Sequence, residues 1–220
     1  MNKIREPLTI DLIRSAHRER RDEIRKRLAE FDAVWKQGDD SRLWEEMAFC
    51  FFTGGCSAQM GMNSIAAIRQ LLKMGSQEEI AAALVGVHRY PNARARYVVE
   101  SRAFLTEQFG MQLRKRLLEL EHHEQRRDWL AMEKGVKGLG YKEASHYLRN
   151  IGFKGYAILD KHVLNCLAEL KIIDEPKPPN TRSRYLTIEK LLKGLAAEAG
   201  IDFDELDLVL WSMKTGKILK

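Results

Sequence analysis

Lys142 and Asp160 are the two side chains of this 220-residue chain whose type and position could make and break a covalent bond. Lys142 stands in VKGLGYKEAS (136–145), where a helix begins after Gly138-Leu139-Gly140. Aligned peptide dipoles place roughly +0.5 of a charge at a helix start, so a cation there costs about 0.3–1 kcal/mol. The same field favours the neutral amine, and a neutral amine is a nucleophile. A solvated lysine touching a phosphate is the bland reading of the same position. Asp160 lies in AILDKHVL (157–164). On one continuous helix the two residues would stand about 27 Å apart at 1.5 Å per residue. Gly152 and Gly155 interrupt the helix between them, so the chain can fold back. Asp160 precedes a helical run, where aspartate is a favoured N-cap. Capping alone explains it in isolation, yet a capping carboxylate is also a fixed carboxylate, so both roles are open.

The turn before Lys142 has chemistry of its own. Glycines reach backbone angles other residues avoid and let the chain approach a ligand closely. Freed amides and the helix dipole then form an anion site suited to phosphate. Helix, Gly138-Leu139-Gly140, helix is a helix-hairpin-helix pattern, a sequence-independent grip on a DNA backbone. A plain turn between two packed helices fits the same glycines.

The elements that must position these groups are helical throughout. Residues 8–36 carry Leu12, Ile13, Ile24, Leu28, Phe31 and Val34 near helical spacing. A break at 37–41 follows, with Asp40 or Ser41 as the expected cap of a buried helix over 42–53. Residues 57–73 read as another helix. Ser76 with Glu79 is a capping box, and Pro91 suits a helix start. Residues 112–133 read as one amphipathic stretch, 161–171 as a helix, 175–184 as a proline-rich loop, and 185–198 and 204–214 as the closing helices. The fold class expected is all-α, in two helical lobes. The central lobe spans 43–149 and ends in the hairpin; the second is formed by 1–42 and 150–220.

Composition narrows the partners. The chain is 45% hydrophobic and 31% charged, with a net charge of +6 that suits a polyanion. No apolar run approaches a membrane span, and no continuous apolar stretch follows the N-terminal charges, so a cytoplasmic location is expected. Cys50, Cys56 and Cys166 are odd in number and lack CxxC spacing, which argues against a disulfide framework or a structural zinc site.

GLGYKEASHYLRN (138–150) followed by AILDKHVL resembles the helix-hairpin-helix–Gly/Pro–Asp superfamily of DNA glycosylases. VGVHRYPNARARYVVESR (85–102) and the ending ELDLVLWSMKTGKILK are similar to the type-2 8-oxoguanine DNA glycosylase/AP lyases of archaea and some bacteria. RRDEIRKRLAEF and SRYLTIEKLL fit as well. The resemblance implies that Lys142 attacks C1′ of the damaged nucleotide and that Asp160 assists and stabilises charge on the sugar. It implies that Tyr90 fills the gap left by the flipped base, with His88 and Arg89 near the orphan base or the backbone. It places base recognition on Asp207, Trp211 and Lys220, and the DNA grip on Gly138 and Gly140. Backbone carbonyls of Lys134, Val136 and Leu139 would hold a monovalent ion; no metal or redox cofactor takes part in the chemistry.

The partner implied is double-stranded DNA containing 8-oxoguanine or an abasic site, bound by a monomer in base-excision repair. The iron–sulfur branch of the superfamily needs four cysteines after Asp160, and only Cys166 lies there. One departure stands out: FFTGGCSAQ (51–59) has Gly54 and Gly55 where the family carries Ala and Asn. Three readings therefore stand: an 8-oxoguanine glycosylase/lyase, a glycosylase of the same fold for another altered base, and a non-catalytic helix-hairpin-helix DNA-binding protein.

Overall fold

The computed structural model describes residues 7–219, and among these the chain forms eleven α-helices and no strand. They are α1 (Ile10–Gln37), α2 (Asp40–Thr53), α3 (Ala58–Ile68), α4 (Gln77–Leu84), α5 (Pro91–Phe109), α6 (Leu113–Glu119), α7 (His123–Met132), α8 (Tyr141–Asn150), α9 (Lys161–Glu169), α10 (Arg182–Ala199) and α11 (Phe203–Thr215). None is long and apolar enough to cross a membrane.

Local chemistry sets most of these boundaries. Ser76 and Glu79 form the expected capping box, and Pro91 opens α5. The cap of α2 differs from expectation. Asp39 accepts the Arg42 amide, while Asp40 is the first helical residue and its carboxylate accepts the Arg114 amide at 2.7 Å. The amphipathic stretch 112–133 forms two helices, α6 and α7. The Arg126 guanidinium donates to the Leu117 carbonyl near the end of α6, and the Gln125 side chain accepts the His122 amide at the start of α7. Side chains thus satisfy the backbone groups that a continuous helix would have paired internally.

The chain divides into two compact units. One runs from Phe31 to Phe153. Its centre is α2, with Leu43, Trp44, Met47, Phe49, Phe51 and Phe52 buried. Helices α3, α5, α6 and α8 pack on it. Each such side chain stabilises the unit by roughly 1.5–3 kcal/mol relative to exposure. The other unit takes the described residues through Glu30 and from Lys154 onward. Its core includes Ile13, Ile24, Leu164, Leu167, Tyr185, Leu192, Leu206 and Val209. There Glu205 of α11 is paired with Arg25 and His17 of α1.

The first division falls inside α1, ahead of the expected residue 43, because the last turns of α1 pack with the Phe31–Phe153 unit. The Arg149 guanidinium sits 4.9 Å from the Phe31 ring, Trp35 lies 4.7 Å from Phe153, and Arg114 donates to the carbonyls of Trp35 and Gly38.

Candidate active site

In the Phe31–Phe153 unit, α7 and α8 form the expected hairpin around Glu133–Gly140. The Tyr141 hydroxyl donates to Asp128 at 2.9 Å and ties the start of α8 to α7. Arg127 of α7 is fully buried, 3.5 Å from Ser145 Oγ of α8 and 6.0 Å from the Tyr141 ring centroid, so it braces the two helices. Helix α5 holds the turn from beneath: Ser101 Oγ accepts the Lys137 amide at 2.8 Å. Gly138 has φ +74°, and a Cβ there would lie 2.5 Å from Tyr97 Cδ2. The turn therefore needs glycine for both its backbone angle and the approach of the ring.

Gly140 is the N-cap of α8 and offers no side chain to the first-turn amides, which have no acceptors within the helix. That end can receive an anion. Lys142 is the second residue of α8, with its side chain a quarter exposed. Its Nζ lies 3.2 Å from Oε1 of the next residue, Glu143. Among the described residues, the carbonyls of Lys134, Val136 and Leu139 accept no hydrogen bond. Three unused oxygens in one turn fit a hard monovalent cation. Among the described residues no cluster of three His, Cys, Asp or Glu side chains suits a metal.

The second feature of this unit is the segment before α5. His88 is buried; its Nδ1 accepts the Tyr90 amide at 2.9 Å and its Nε2–H donates to the Phe52 carbonyl at 3.1 Å. Burial, aided by the Arg94 charge, lowers the His88 pKa against the contrary pull of the Phe52 carbonyl, so the ring stays neutral and anchors the backbone of Tyr90. Tyr90 itself is 46% exposed, with the Arg89 guanidinium 5.4 Å from its ring centroid. Arg94 lies 5.8 Å from Tyr90 and 5.3 Å from Tyr97, and donates to the Gly54 carbonyl. Through Arg94, the exposed Tyr90, the Gly54 turn and the Tyr97 ring under Gly138 form one connected surface.

Asp160 belongs to the other unit, where it is the N-cap of α9. Its Oδ1 accepts the amides of His162 and Val163, both at 2.8 Å. Among the described residues Oδ2 accepts no hydrogen bond. One oxygen is anchored and the other is available to a ligand. The His162 ring meets the Trp211 ring edge-on, centroids 6.4 Å apart, so α11 sets Trp211 beside the start of α9. Asp207 lies one turn before Trp211 on α11; both are partly exposed. Lys220, expected to complete base recognition, lies outside the described residues. Cys166, further along α9, is buried, and burial pushes its thiol up to about 11.

The residues expected from sequence thus fall in two groups. Lys142, Gly138, Gly140, His88, Arg89 and Tyr90 belong to the Phe31–Phe153 unit, and Asp160, Asp207 and Trp211 to the other. Glu143, Arg94, Tyr97, Arg127 and His162 were not anticipated. Glu143 carried a readable signal, an acid in a helix's first turn; for Tyr97 beneath Gly138, only folding reveals the contact.

Residues 24–201 match the family profile of 8-oxoguanine DNA glycosylase. The chain is 39% identical over 214 residues to the 8-oxoguanine DNA glycosylase/AP lyase of Korarchaeum cryptofilum, covering 97% of this chain and 98% of that one. To the Fusobacterium nucleatum protein of the same name the identity is 32%, covering 94% and 96%. Among solved structures it is similar to the Methanocaldococcus jannaschii 8-oxoguanine glycosylase/lyase in complex with a 15mer DNA containing 8-oxoguanine. The TM-score is 0.87 and the identity 33%, covering 96% of this chain and 99% of that one.

Proposed function

The chain belongs to the 8-oxoguanine DNA glycosylase family, and from that membership we propose that it excises 8-oxoguanine from duplex DNA and then cuts the strand by β-elimination through a lysine Schiff base. The observation that carries this reading is the full-length likeness to a glycosylase/lyase solved on DNA containing 8-oxoguanine. The placement of Lys142 in the first turn of a hairpin helix supports it.

The target nucleotide must leave the stack before chemistry. Uncapped amides at the start of α8, with Gly138 and Gly140, take a phosphate, and the carbonyls of Lys134, Val136 and Leu139 would hold a monovalent ion that adds positive charge at the same turn. Tyr90 enters the gap left by the base; His88 acts through Tyr90's backbone, and Arg89 meets the neighbouring phosphates. Trp211 stacks on the flipped base, and Asp207 accepts a hydrogen bond from it.

Lys142 Nζ attacks C1′ as the glycosidic bond breaks with its electron pair going to the base. Asp160 Oδ2 stabilises positive charge on the sugar. Ring opening gives an imine on Nζ; loss of a C2′ proton then expels the 3′ phosphate, and water releases the enzyme. Abasic sites enter the same path at the imine.

The test is incubation with duplexes carrying one 8-oxoguanine, uracil, thymine glycol or abasic site, with borohydride present. A trapped adduct on the 8-oxoguanine duplex is the expected result. Trapping on the abasic duplex alone would leave a lyase of other base specificity, and trapping on none would leave a DNA-binding protein.

A further inference from the structure

We propose that Tyr185 and Glu189 of α10 are positioning residues for Asp160: they clamp the backbone of Ala157 and so set where the Asp160 carboxylate stands against the sugar. This rests on the reading of Asp160 as the carboxylate that stabilises charge there, and adds to it the device that aims it.

The chain reaches Asp160 without regular structure. Residues 151–160 belong to no helix, yet Ala157, Ile158 and Leu159 are buried. Buried backbone groups need partners, and here side chains supply them. The Glu189 carboxylate accepts the Ala157 amide at 2.9 Å, and the Tyr185 hydroxyl donates to the Ala157 carbonyl at 2.7 Å. The same hydroxyl accepts the amide of Leu159, the residue before Asp160, at 3.5 Å. Upstream, Asp204 of α11 accepts the Gly155 amide at 2.8 Å. The Asp160 amide folds back to the Ile158 carbonyl at 2.8 Å. Ahead of it, the amides of His162 and Val163 fix Asp160 Oδ1. Oδ2 is therefore aimed from both sides, by the start of α9 and by the clamp on α10. All of these groups belong to the unit that runs from Lys154 onward.

Both clamping side chains are buried, Tyr185 at 2% exposed and Glu189 at 5%. They stand one turn apart on one face of α10. A carboxylate is costly to bury unless it is paired and hydrogen-bonded. The other oxygen of Glu189 lies 3.5 Å from Lys193 Nζ, which supplies a charge partner. Apolar side chains would fill a core without that cost. The pair thus serves the backbone leading to Asp160, and it gives a role to the stretch SRYLTIEKLL, which holds both residues. Neither residue makes or breaks a bond. Their effect is geometric, because a misplacement of about 1 Å at a reacting group can cost 10²-fold in rate.

The experiment measures two quantities: the single-turnover rate of 8-oxoguanine excision at saturating enzyme, and the Kd for the same duplex carrying a non-cleavable abasic analogue. The proteins compared are wild type, Tyr185→Phe, Glu189→Ala, Glu189→Gln, Asp160→Asn, and Tyr185→Phe combined with Asp160→Asn. Tyr185→Phe keeps the ring and removes only the hydroxyl, so the rate should fall roughly 10–10²-fold with Kd unchanged. Glu189→Ala should fall likewise. Glu189→Gln, which keeps an oxygen for the Ala157 amide, should recover most of that loss. In the double variant the aimed charge is already gone, so its rate should equal that of Asp160→Asn. Lost stability alone would lower the active fraction rather than the rate, and would not vanish in that background.

An unaltered Tyr185→Phe rate, or a double variant slower than Asp160→Asn by the full Tyr185→Phe factor, overturns the proposal. Should Tyr185→Phe not fold, as judged by circular dichroism, equal rates for Glu189→Ala and Glu189→Gln do the same. An Asp160→Asn rate equal to wild type removes the role of the carboxylate, and the proposal with it. A slow Asp160→Asn beside an unaltered Tyr185→Phe removes only the positioning residues.

Discussion

Replacing Gly138 with alanine should weaken the hairpin by about 2–5 kcal/mol, the sum of two separate costs. A non-glycine residue in the left-handed region costs roughly 1–2 kcal/mol. The new Cβ would also lie 2.5 Å from Tyr97 Cδ2 and 2.9 Å from Cε2, so the ring must move. Overpacking of this kind costs about 1–3 kcal/mol. The ring is not free to yield: the Arg94 and Arg96 guanidiniums stand 5.3 and 5.9 Å from it. Gly140→Ala is the control. Its nearest contact would be Glu143 Oε2 at 3.4 Å, and its φ of −91° suits any residue. The assay is urea unfolding of both variants, followed by DNA affinity at fixed salt. Tyr97→Ala combined with Gly138→Ala should recover the overlap cost but not the backbone cost. A Gly138→Ala stability within about 0.5 kcal/mol of wild type, the range of ordinary surface changes, would refute the reasoning.

Other outcomes follow from single features. Burial lowers the His88 pKa below the ordinary 6.5, so its contribution is present above that value and is lost as pH falls below it; denaturation against pH should show this, and His88→Ala should remove it. Burial pushes the Glu205 carboxyl up, but hydrogen bonds and charge from Arg25 and His17 carry it below the ordinary 4.5, so stability also falls as pH drops from there, and Glu205→Gln should flatten that limb. A thiol reagent should modify the partly exposed Cys56 first and leave Cys50 and Cys166 until unfolding, since both are buried. DNA affinity should fall with salt at a slope of about −0.9 per neutralised phosphate.

Much of this was legible in the sequence. Helical periodicity and the glycine pair marked the hairpin, and Ser76-x-x-Glu79 marked α4, because such signals are local. Residues 112–133 read only as amphipathic, because that spacing continues across the break at Leu120–His122 that separates α6 from α7. Asp40 or Ser41 was the expected cap of α2, but Asp39 takes the Arg42 amide while the Asp40 carboxylate is held by the distant Arg114 amide, a contact no local signal reveals. Arg94 and Tyr97 read as ordinary residues of an amphipathic helix. Their roles come from Gly54 and Gly138, far along the chain, which no periodicity connects. Lys142 was found because its charge opposes the dipole, a conflict between local preference and sequence of the kind functional sites tolerate.

The most direct measurement of the central claim is peptide mapping of the borohydride-trapped adduct on an 8-oxoguanine duplex. The account predicts that the nucleotide remnant lies on Lys142, that Lys142→Gln yields no adduct, and that Asp160→Asn slows adduct formation while leaving the fold intact. A remnant on any other residue, or an undiminished adduct in Lys142→Gln, would contradict it.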